Sequence, residues 1–241
     1  MVDPTPLPLN LDMTIDAFDR LPRHPAFRYE YAQGSAAITY RPRFYHAQLD
    51  LLSCKFEPTT ANVQVRSVVE TDWDQLSGPF DRAFCRSAFY MSVPEEARGQ
   101  YTRDHLDRTR HGAYGPLIPE ASFILEDPNA DHETVIGGCL INRVAVGDLV
   151  HFQPTDDNEQ VPRREKPGLP HLTWIFVDWR HQRRGAGELL LRTAVSELRR
   201  LGETRLTSTF EAGAEPSQLW HWKMGFQLLS YPGSPRRLLE H

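Results

Sequence analysis

The stretch VDWRHQRRGAGELLL, residues 177–191, decides the fold, because it leads from an apolar segment into a helical pattern through a turn rich in positive charge and glycine. The basic side chains of the turn are Arg180, His181, Arg183 and Arg184. The first four N–H groups of a helix have no internal partner, and the helix dipole adds partial positive charge there. Gly185 and Gly187 have no Cβ atom, so an anion can come close to the backbone. The stretch therefore predicts a binding site for a phosphate or pyrophosphate group.

The segments on either side of this turn have distinct patterns. The preceding segment, LTWIFVD at residues 172–178, is an apolar run typical of a central strand buried on both faces. The following segment has apolar residues at helical spacing and stops near Gly202. Its apolar face comprises Leu190, Leu191, Ala194, Val195, Leu198 and Leu201. The sequence therefore predicts a strand, a basic turn and an amphipathic helix in succession.

Two common phosphate-binding loops do not fit this spacing. A Rossmann dinucleotide loop needs G-x-G-x-x-G directly after the strand, but Leu190 stands at the third glycine position and residues 179–184 separate Asp178 from Gly185. An NTPase phosphate loop needs G-x-x-x-x-G-K-[ST], and the chain contains no such string. Both classes of nucleotide site are excluded.

The chain from residue 63 onward alternates between strand and helix patterns. The predicted order is β-α-α-β-β-β-α-β-α-β, which indicates an α+β fold, an α/β sandwich without internal repeats. In chain order the segments are VQVRSVV, ETDWDQLSGPFDRAF with a cap at Thr71-Asp72, PEEARGQYTRDHLDRTRH, ASFILED, TVIGGCLINRVAV, LTWIFVD, the helix after Gly187, TRLTSTFE, EPSQLWHWKMGF and QLLSYPG. Residues 147–170 are polar and proline-rich, so they are predicted to form an inserted loop.

The N-terminal part has a different character. Residues 1–12 are proline-rich and are predicted to form a poorly ordered arm. Aromatic and β-branched residues flank Gln33-Gly34, which predicts a β-hairpin with its turn there. We therefore expect an N-terminal arm and hairpin extension over residues 1–57 and a main domain over residues 58–238. The hairpin could cover a cleft or join a homodimer.

Composition limits the function classes. The chain has 241 residues, 40% of them hydrophobic and 24% charged, as in ordinary soluble proteins. The net charge of −5 argues against a general nucleic-acid-binding surface. Three cysteines without a C-x-x-C pattern indicate a reduced, intracellular protein with no zinc site. No run of 18 apolar residues and no signal peptide is evident, so we expect a cytoplasmic protein with no membrane partner and no metal.

The residues Gln182-Arg183-Arg184-Gly185-Ala186-Gly187 match the signature Q/R-x-x-G-x-G/A of the GCN5-related N-acetyltransferases (GNAT), a family that the chain resembles. VQVRSVVETDWDQL is similar to the family's first strand and helix, and EPSQLWHWKMGF is similar to its last helix. The resemblance covers about residues 60–232. It implies the acyl-CoA N-acyltransferase fold, with a mixed central sheet and helices on both faces.

The resemblance also implies a co-substrate, acetyl-CoA, and the groups that bind it. The backbone of Phe176 and Val177 would hydrogen-bond the pantetheine arm like an added strand. The N–H groups from Arg183 to Gly187 would hold the pyrophosphate. Arg180 and His181 would face solvent or the adenosine 3′-phosphate.

Acetyl transfer to an amine needs a neutral amine, a hydrogen-bond donor for the oxyanion and a proton for the leaving thiolate. Where the family often has a tyrosine as the acid, this chain has His221, whose imidazole could protonate a thiolate. The family's frequent asparagine at the start of the last helix falls at Ala214. Both positions depart from the family pattern. His221 is a candidate acid, and its alternative role is packing or capping of the helix.

Three side chains are candidates for the base, and a water relay is the alternative. Glu211 ends TRLTSTFE, Glu126 lies in SFILED, and His171 stands beside the start of the central strand. Aromatic residues could line the acceptor pocket or pack in the core: Trp220, Trp222, Tyr90 and Tyr114.

Three functions compete at this point. The favoured one is an acetyl-CoA-dependent N-acetyltransferase acting on an amine of a small molecule or a protein. The second is a non-catalytic acyl-CoA-binding module, which the departures at Ala214 and His221 leave open. The third, nucleic-acid binding through Arg180–Arg184, is disfavoured because the patch is short and the chain is acidic. The first two helices and the 147–170 loop are expected to select the acceptor.

Overall fold

A computed structural model describes residues 9–41, 43–56, 62–129, 134–144 and 168–229. The strands in these ranges are β1 (Leu9–Asp12), β2 (Phe27–Ala32), β3 (Ser35–Tyr40), β4 (Phe44–Asp50), β5 (Gln64–Ser67), β6 (Phe123–Glu126), β7 (Val135–Val144), β8 (Leu169–Val177), β9 (Arg205–Glu211) and β10 (Gln227–Leu228). The helices are α1 (Ile15–Asp19), α2 (Trp73–Phe84), α3 (Ala88–Met91), α4 (Glu95–Arg110), α5 (Ala186–Arg200) and α6 (Glu215–Lys223).

Seven strands form the main sheet, in the order β10-β4-β9-β8-β7-β6-β5. Strands β8 and β9 are parallel, and all other neighbours in this sheet are antiparallel. The sheet is therefore mixed, as the family resemblance implies. The parallel pair is short, because only His171 with Thr207 and Leu172 with Ser208 are in register. Beyond these two pairs the strands separate.

Helices cover both faces of the sheet, and each face has its own core. On one face α5 and α6 pack over buried residues of β6, β8 and β9. On the other face α2 and α4 pack over β7 and β8. Alternation along β6 explains the division, since Phe123 and Leu125 belong to the α5 core and Ile124 to the α2 core. The predicted architecture, a mixed sheet between two helical layers, is confirmed.

The N-terminal hairpin is confirmed, with its turn at Gln33 and Gly34. Both residues have positive φ, 52° and 83°, which matches the twist of a two-residue hairpin turn. The prediction of a poorly ordered arm over 1–12 is wrong for Leu9–Asp12, which pair with β3 as β1. The pairing satisfies backbone groups along the open edge of β3. Residues 1–8 lie outside the described ranges.

Strand β4 lies within the predicted N-terminal extension but belongs to the main sheet. Its seven residues pair with β9 from Phe44 opposite Glu211 to Asp50 opposite Arg205. On its other side β4 pairs with β10. The N-terminal segment is thus hydrogen-bonded to the last strands of the chain, and this pairing brings its side chains to the end of β9.

Several local predictions need correction. Helix α3 was not predicted, because four residues are too short for a helical period. Asp72 stands at the start of α2, but its carboxylate binds Arg66 and the Val69 N–H and does not cap α2. Of the predicted loop 147–170, Leu169 and Pro170 belong to β8. Residues 147–167 of that loop lie outside the described ranges.

Candidate active site

The separation of β8 from β9 creates an opening in the sheet, which we call the strand gap: it lies between Thr173–Val177 and Thr209–Glu211. The register of β8 with β7 also shifts here. Leu140 lies opposite Trp174 and Ile141 lies opposite Leu172, so Thr173 is an extra residue without a register partner on β7. An extra residue of this kind bends a strand and redirects its backbone groups. The gap therefore offers backbone hydrogen-bonding groups to a ligand that enters between the strands.

The turn that precedes α5 leaves backbone N–H groups at the helix start outside the helical ladder. Gly185 takes the N-cap position with φ of 80°, and Arg183 also has a positive φ of 62°. The first helical bond runs from the Leu189 N–H to the Gly185 carbonyl at 3.0 Å, so the N–H groups of residues 186–188 precede the helical ladder. The side chains of Gln182, Arg183 and Arg184 are exposed, and Ala186 is buried beneath them.

Asp178 holds this turn in place. Its carboxylate is fully buried and accepts hydrogen bonds from the Arg180 N–H at 3.0 Å, the Arg180 guanidinium at 2.5 Å and Arg82 Nε at 2.5 Å. Burial raises the pKa of Asp178, but these bonds outweigh it and lower the pKa to about 2. Arg180 is thus paired with a carboxylate, and His181 lies 3.6 Å from Asp127. Arg180 and His181, which are expected to face solvent or the 3′-phosphate, thus both have acidic neighbours.

The end of β8 directs alternate residues to opposite sides. A Cβ atom built on Gly137 would lie 2.5 Å from the Phe176 carbonyl oxygen, so this carbonyl faces β7. The next residue, Val177, faces the other way, and its carbonyl accepts from Gln182 Nε2 at 2.8 Å. Gln182 therefore ties the turn to the strand. Gly187 lies under Trp220, whose Nε1 would be 3.4 Å from an added Cβ.

Glu211 ends β9 beside the strand gap and is only 8% exposed. Oε1 of its carboxylate has no hydrogen-bond partner among the described residues. Burial raises the pKa of Glu211 to about 7, although the nearby Tyr40 hydroxyl favours the ionised form and opposes this shift. A carboxyl group that titrates near neutral pH is suited to accept a proton in a reaction.

His46 on β4 shares the sheet face with Glu211. It lies opposite Thr209, its Nδ1 is 3.1 Å from Thr209 Oγ1, and burial lowers its pKa. Its Nε2 has no hydrogen-bond partner among the described residues. Sequence patterns predict a role for neither His46 nor Tyr40, because nothing local in the sequence shows that β4 pairs with β9.

His221 lies on the opposite face, under α6. Its Nδ1 is 2.7 Å from the Ser217 carbonyl and its Nε2 is 2.9 Å from Ser208 Oγ. Because a carbonyl only accepts, Nδ1 carries the hydrogen and Nε2 accepts from the Ser208 hydroxyl. The ring stacks on Phe210 at 4.1 Å, and burial lowers the pKa of His221 to about 4. His221 is therefore a neutral, buried histidine with both nitrogens hydrogen-bonded.

The other two candidate bases have structural partners. Glu126 accepts from Arg66 Nε at 3.1 Å and Nη2 at 2.9 Å, and Arg66 also binds Asp72. Glu126 lies on β6, three strands from β9 in the sheet order, so it is separated from Glu211. His171 is buried on the Glu211 face, with Nδ1 2.9 Å from Thr207 Oγ1. Burial and the neighbouring histidines lower the pKa of His171 to about 3.

The candidate pocket aromatics occupy different environments. Tyr90 is fully buried in the α2 core, where its hydroxyl bonds with Thr102. Tyr114 stacks on His105 at 6.2 Å, and its hydroxyl is 2.6 Å from His105 Nδ1. Trp220 packs against the α5 core, and Trp222 is exposed. Of the two roles expected for Tyr90, the structure shows core packing.

No group of three or more His, Cys, Asp or Glu side chains in the part of the chain that the structure describes is arranged to hold a metal ion. No helix in the described ranges is both long and apolar enough to cross a membrane.

Comparison with known proteins adds a family match to this geometry. The family described as "Acetyltransferase (GNAT) family" matches residues 87–226, more than half of the chain. No curated protein matches the chain in sequence.

Among solved structures, a GCN5-related N-acetyltransferase from Sphaerobacter thermophilus is similar with a TM-score of 0.54 and 13% identity, over 94% of this chain and 58% of that one. This chain thus spans 58% of the length of that protein, and the likeness shows the fold. A GNAT family acetyltransferase from Brucella melitensis, solved with acetyl-CoA, has a TM-score of 0.46 and 20% identity over 72% of this chain and 91% of that one. A PaiA N-acetyltransferase from Thermoplasma acidophilum, solved with coenzyme A, has a TM-score of 0.45 and 12% identity over 72% of this chain and 95% of that one.

Proposed function

Because the chain belongs to the acetyltransferase (GNAT) family, we propose that it transfers the acetyl group of acetyl-CoA to an amine of a small molecule or a protein. The observation that carries this proposal is the strand gap, which has the start of α5 near one strand and the buried carboxylate of Glu211 on the other. A thioester ligand and an amine can meet in such a gap without a covalent enzyme intermediate.

The coenzyme would bind along β8 and at the start of α5. The pyrophosphate would accept from the N–H groups between Arg183 and Gly187, with the positive charges of Arg183 and Arg184 beside it. The pantetheine arm would follow the edge of β8 from Thr173 to Val177, where residues that face away from β7 leave their backbone groups available. Gln182 would support this edge through its bond to the Val177 carbonyl.

Glu211 is the proposed base. The amine nitrogen attacks the thioester carbonyl carbon, the C–N bond forms, and the C–S bond breaks. The proton lost by the nitrogen passes to the Glu211 carboxylate, and the sulfur leaves as a thiolate. Since the pKa of Glu211 is about 7, a large fraction of the carboxyl group is ionised in neutral solution and can accept this proton. Backbone N–H groups at the Thr173 bulge would stabilise the oxyanion.

The thiolate can leave without a protein acid, because its pKa of about 8.5 is close to neutral. The role of general acid for His221 stays a prediction. With a pKa of about 4, the His221 ring has one hydrogen, on Nδ1, and shares it with the Ser217 carbonyl. To act as an acid it would first have to gain a second proton from solvent. Glu126, bound to Arg66, is assigned no chemical step.

The proposed function is tested by thiol release from acetyl-CoA over a panel of amines, with acetyl-CoA binding measured by calorimetry. We expect turnover of at least one amine. Because the exposed arginines would lie beside the pyrophosphate, the double variant Arg183→Ala/Arg184→Ala should weaken acetyl-CoA binding by about tenfold to a hundredfold. The matched control is Arg28→Ala, an exposed arginine on β2. Tight acetyl-CoA binding without turnover of any amine would favour the non-catalytic module.

A further inference from the structure

Two buried polar atoms on one face of the sheet lack hydrogen-bond partners among the described residues: Glu211 Oε1 and His46 Nε2. Both side chains are more than nine-tenths buried, with exposures of 8% and 6%. A buried polar group without a partner costs about 1–3 kcal/mol, and native proteins contain few of them. Two on the same face of one strand pair indicate that a ligand supplies the missing bonds.

The register of β4 and β9 places these atoms within reach of one small group. His46 lies opposite Thr209, and Glu211 lies opposite Phe44, so His46 and Glu211 are diagonal neighbours on the same face. Diagonal neighbours have Cβ atoms about 7 Å apart. One nitrogen atom that hydrogen-bonds to both side chains, at about 3 Å from each, fits between them.

Each of the two side chains has a polar neighbour besides the missing one. His46 Nδ1 pairs with Thr209 Oγ1, and the Tyr40 hydroxyl lies near the Glu211 carboxylate. In the tautomer with its hydrogen on Nδ1, His46 donates to Thr209 Oγ1 and Nε2 is an acceptor. This tautomer can accept a hydrogen bond from an N–H group of a ligand. Burial lowers the pKa of His46, which keeps the ring neutral at pH 7. Titratable neighbours on this face are His171, which lies near His46, and Tyr101, which lies near Tyr40.

We propose that Glu211 Oε1 and His46 Nε2 together bind the amino group of a primary amine, an assignment that rests on the proposed acetyl transfer. A neutral primary amine has two N–H groups and one lone pair. One N–H donates to Glu211, the other donates to His46, and the lone pair remains for the thioester carbon. The proton on the Glu211 side then moves to the carboxylate as the C–N bond forms and the C–S bond breaks, while His46 keeps its protonation state.

This arrangement makes His46 the residue that selects primary amines. A secondary amine has one N–H, so it leaves either Glu211 or His46 without a partner in a buried site. We expect that loss to reduce kcat/KM by about tenfold to a hundredfold. His46 and Tyr40 both precede the matched residues 87–226, so the N-terminal segment supplies part of the acceptor site.

The test compares three primary amines with their N-methyl derivatives: benzylamine, n-hexylamine and tyramine. Wild-type protein should prefer the primary member of a turned-over pair by at least about tenfold in kcat/KM. His46→Phe keeps the ring and removes both nitrogens, so the preference should fall to about one while acetyl-CoA affinity is unchanged. His46→Gln, which retains an acceptor oxygen, should restore part of the preference. The control is Gln48→Met, on the same face of β4 and two residues further from Glu211.

The outcomes separate the two proposals. A wild-type preference below about threefold, or a full preference in His46→Phe, overturns the assignment of His46 and leaves acetyl transfer standing. Absence of turnover with every amine, together with tight acetyl-CoA binding, overturns the proposed function itself. The wild-type comparison needs no substitution, so a variant that fails to fold does not remove the test.

Discussion

Glu211 combines two properties that are costly in a folded protein: a buried carboxyl group and an oxygen with no hydrogen-bond partner among the described residues. Its pKa is raised by burial to about 7, above the value of 4.5 expected for an exposed glutamate. The folded state therefore holds a proton that the unfolded state releases between these values. The stabilisation present below the lower pKa is lost as pH rises through about 7, so the carboxylate opposes folding under the conditions where it can act as a base.

Replacement of Glu211 by glutamine separates these two effects. The amide retains an oxygen for the Tyr40 hydroxyl but cannot accept a proton, so kcat should fall by about a hundredfold to ten-thousandfold. Acetyl-CoA affinity should be unchanged, and the rise of wild-type kcat/KM with pH through about 7 should disappear. The free energy of unfolding at alkaline pH should increase by up to about 3 kcal/mol. Steady-state kinetics and urea unfolding check the two parts, and unchanged kcat would exclude Glu211 as the base.

Local elements could be predicted from the sequence, and the pairing between distant strands could not. The turn at Gln33-Gly34 and the helix after Gly187 depend on residues close in sequence, so their patterns are visible directly. His46 and Thr209 are 163 residues apart, and no periodicity shows that they meet. The position of Glu211 at a strand end therefore predicts a place in the site, whereas no sequence pattern predicts that His46 or Tyr40 lies beside it.

The turn between β8 and α5 depends on the buried carboxylate of Asp178. This carboxylate binds Arg82 of α2 and both the backbone and the guanidinium of Arg180, so one residue joins α2 to the turn. Asp178→Asn removes the charge and leaves two arginines with a weaker partner. Removing one member of a buried ion pair costs about 3–5 kcal/mol, and since both arginines are partly exposed we expect about 2–4 kcal/mol in the free energy of unfolding.

The same substitution should affect coenzyme binding more than the chemical step. A loosened turn no longer presents its N–H groups in a fixed arrangement, so KM for acetyl-CoA should rise by about tenfold while kcat changes little. Asp74→Asn, at an exposed position in the first turn of α2, is the matched control and should behave as wild type. An Asp178→Asn variant with wild-type KM would show that the turn is held by other contacts.

At the scale of the whole molecule, the N-terminal segment and the last strands form one continuous sheet. The predicted boundary near residue 57 falls between β4 and β5, which occupy distant positions in the order β10-β4-β9-β8-β7-β6-β5. The three-stranded sheet of β1, β2 and β3 leads into β4 through Tyr40, whose hydroxyl reaches Glu211. Because β4 fills the position beside β9, a chain that began after β4 would expose the edge of β9 and lose Tyr40 and His46. The sequence predicts a boundary between the N-terminal extension and the main domain because composition changes there. In the structure, the backbone hydrogen bonds of β4 join the two segments.

Stability of the whole molecule should depend on pH because several buried groups are held neutral. Burial lowers the pKa of His171 to about 3 and that of His221 to about 4, and it also lowers the pKa of His46. Their unfolded forms bind protons below about 6.5, so the folded state loses stability as pH falls from that value. Glu211 acts in the opposite direction between 4.5 and about 7. Three histidines outnumber one carboxyl group, so the free energy of unfolding should rise with pH between about 5 and 6.5.

Two variants should change this slope in opposite directions, since each fully titrating group contributes about 1.4 kcal/mol per pH unit. Phenylalanine at position 221 packs between Phe210 and Phe226 without titrating, so His221→Phe should lower the slope. Glu211→Gln removes the opposing group and should raise it. Urea unfolding at a series of pH values gives the slope for each protein. Equal slopes for wild type and His221→Phe would mean that His221 in the folded state has a pKa near the unfolded value of about 6.5, and that result would favour its predicted role as the acid.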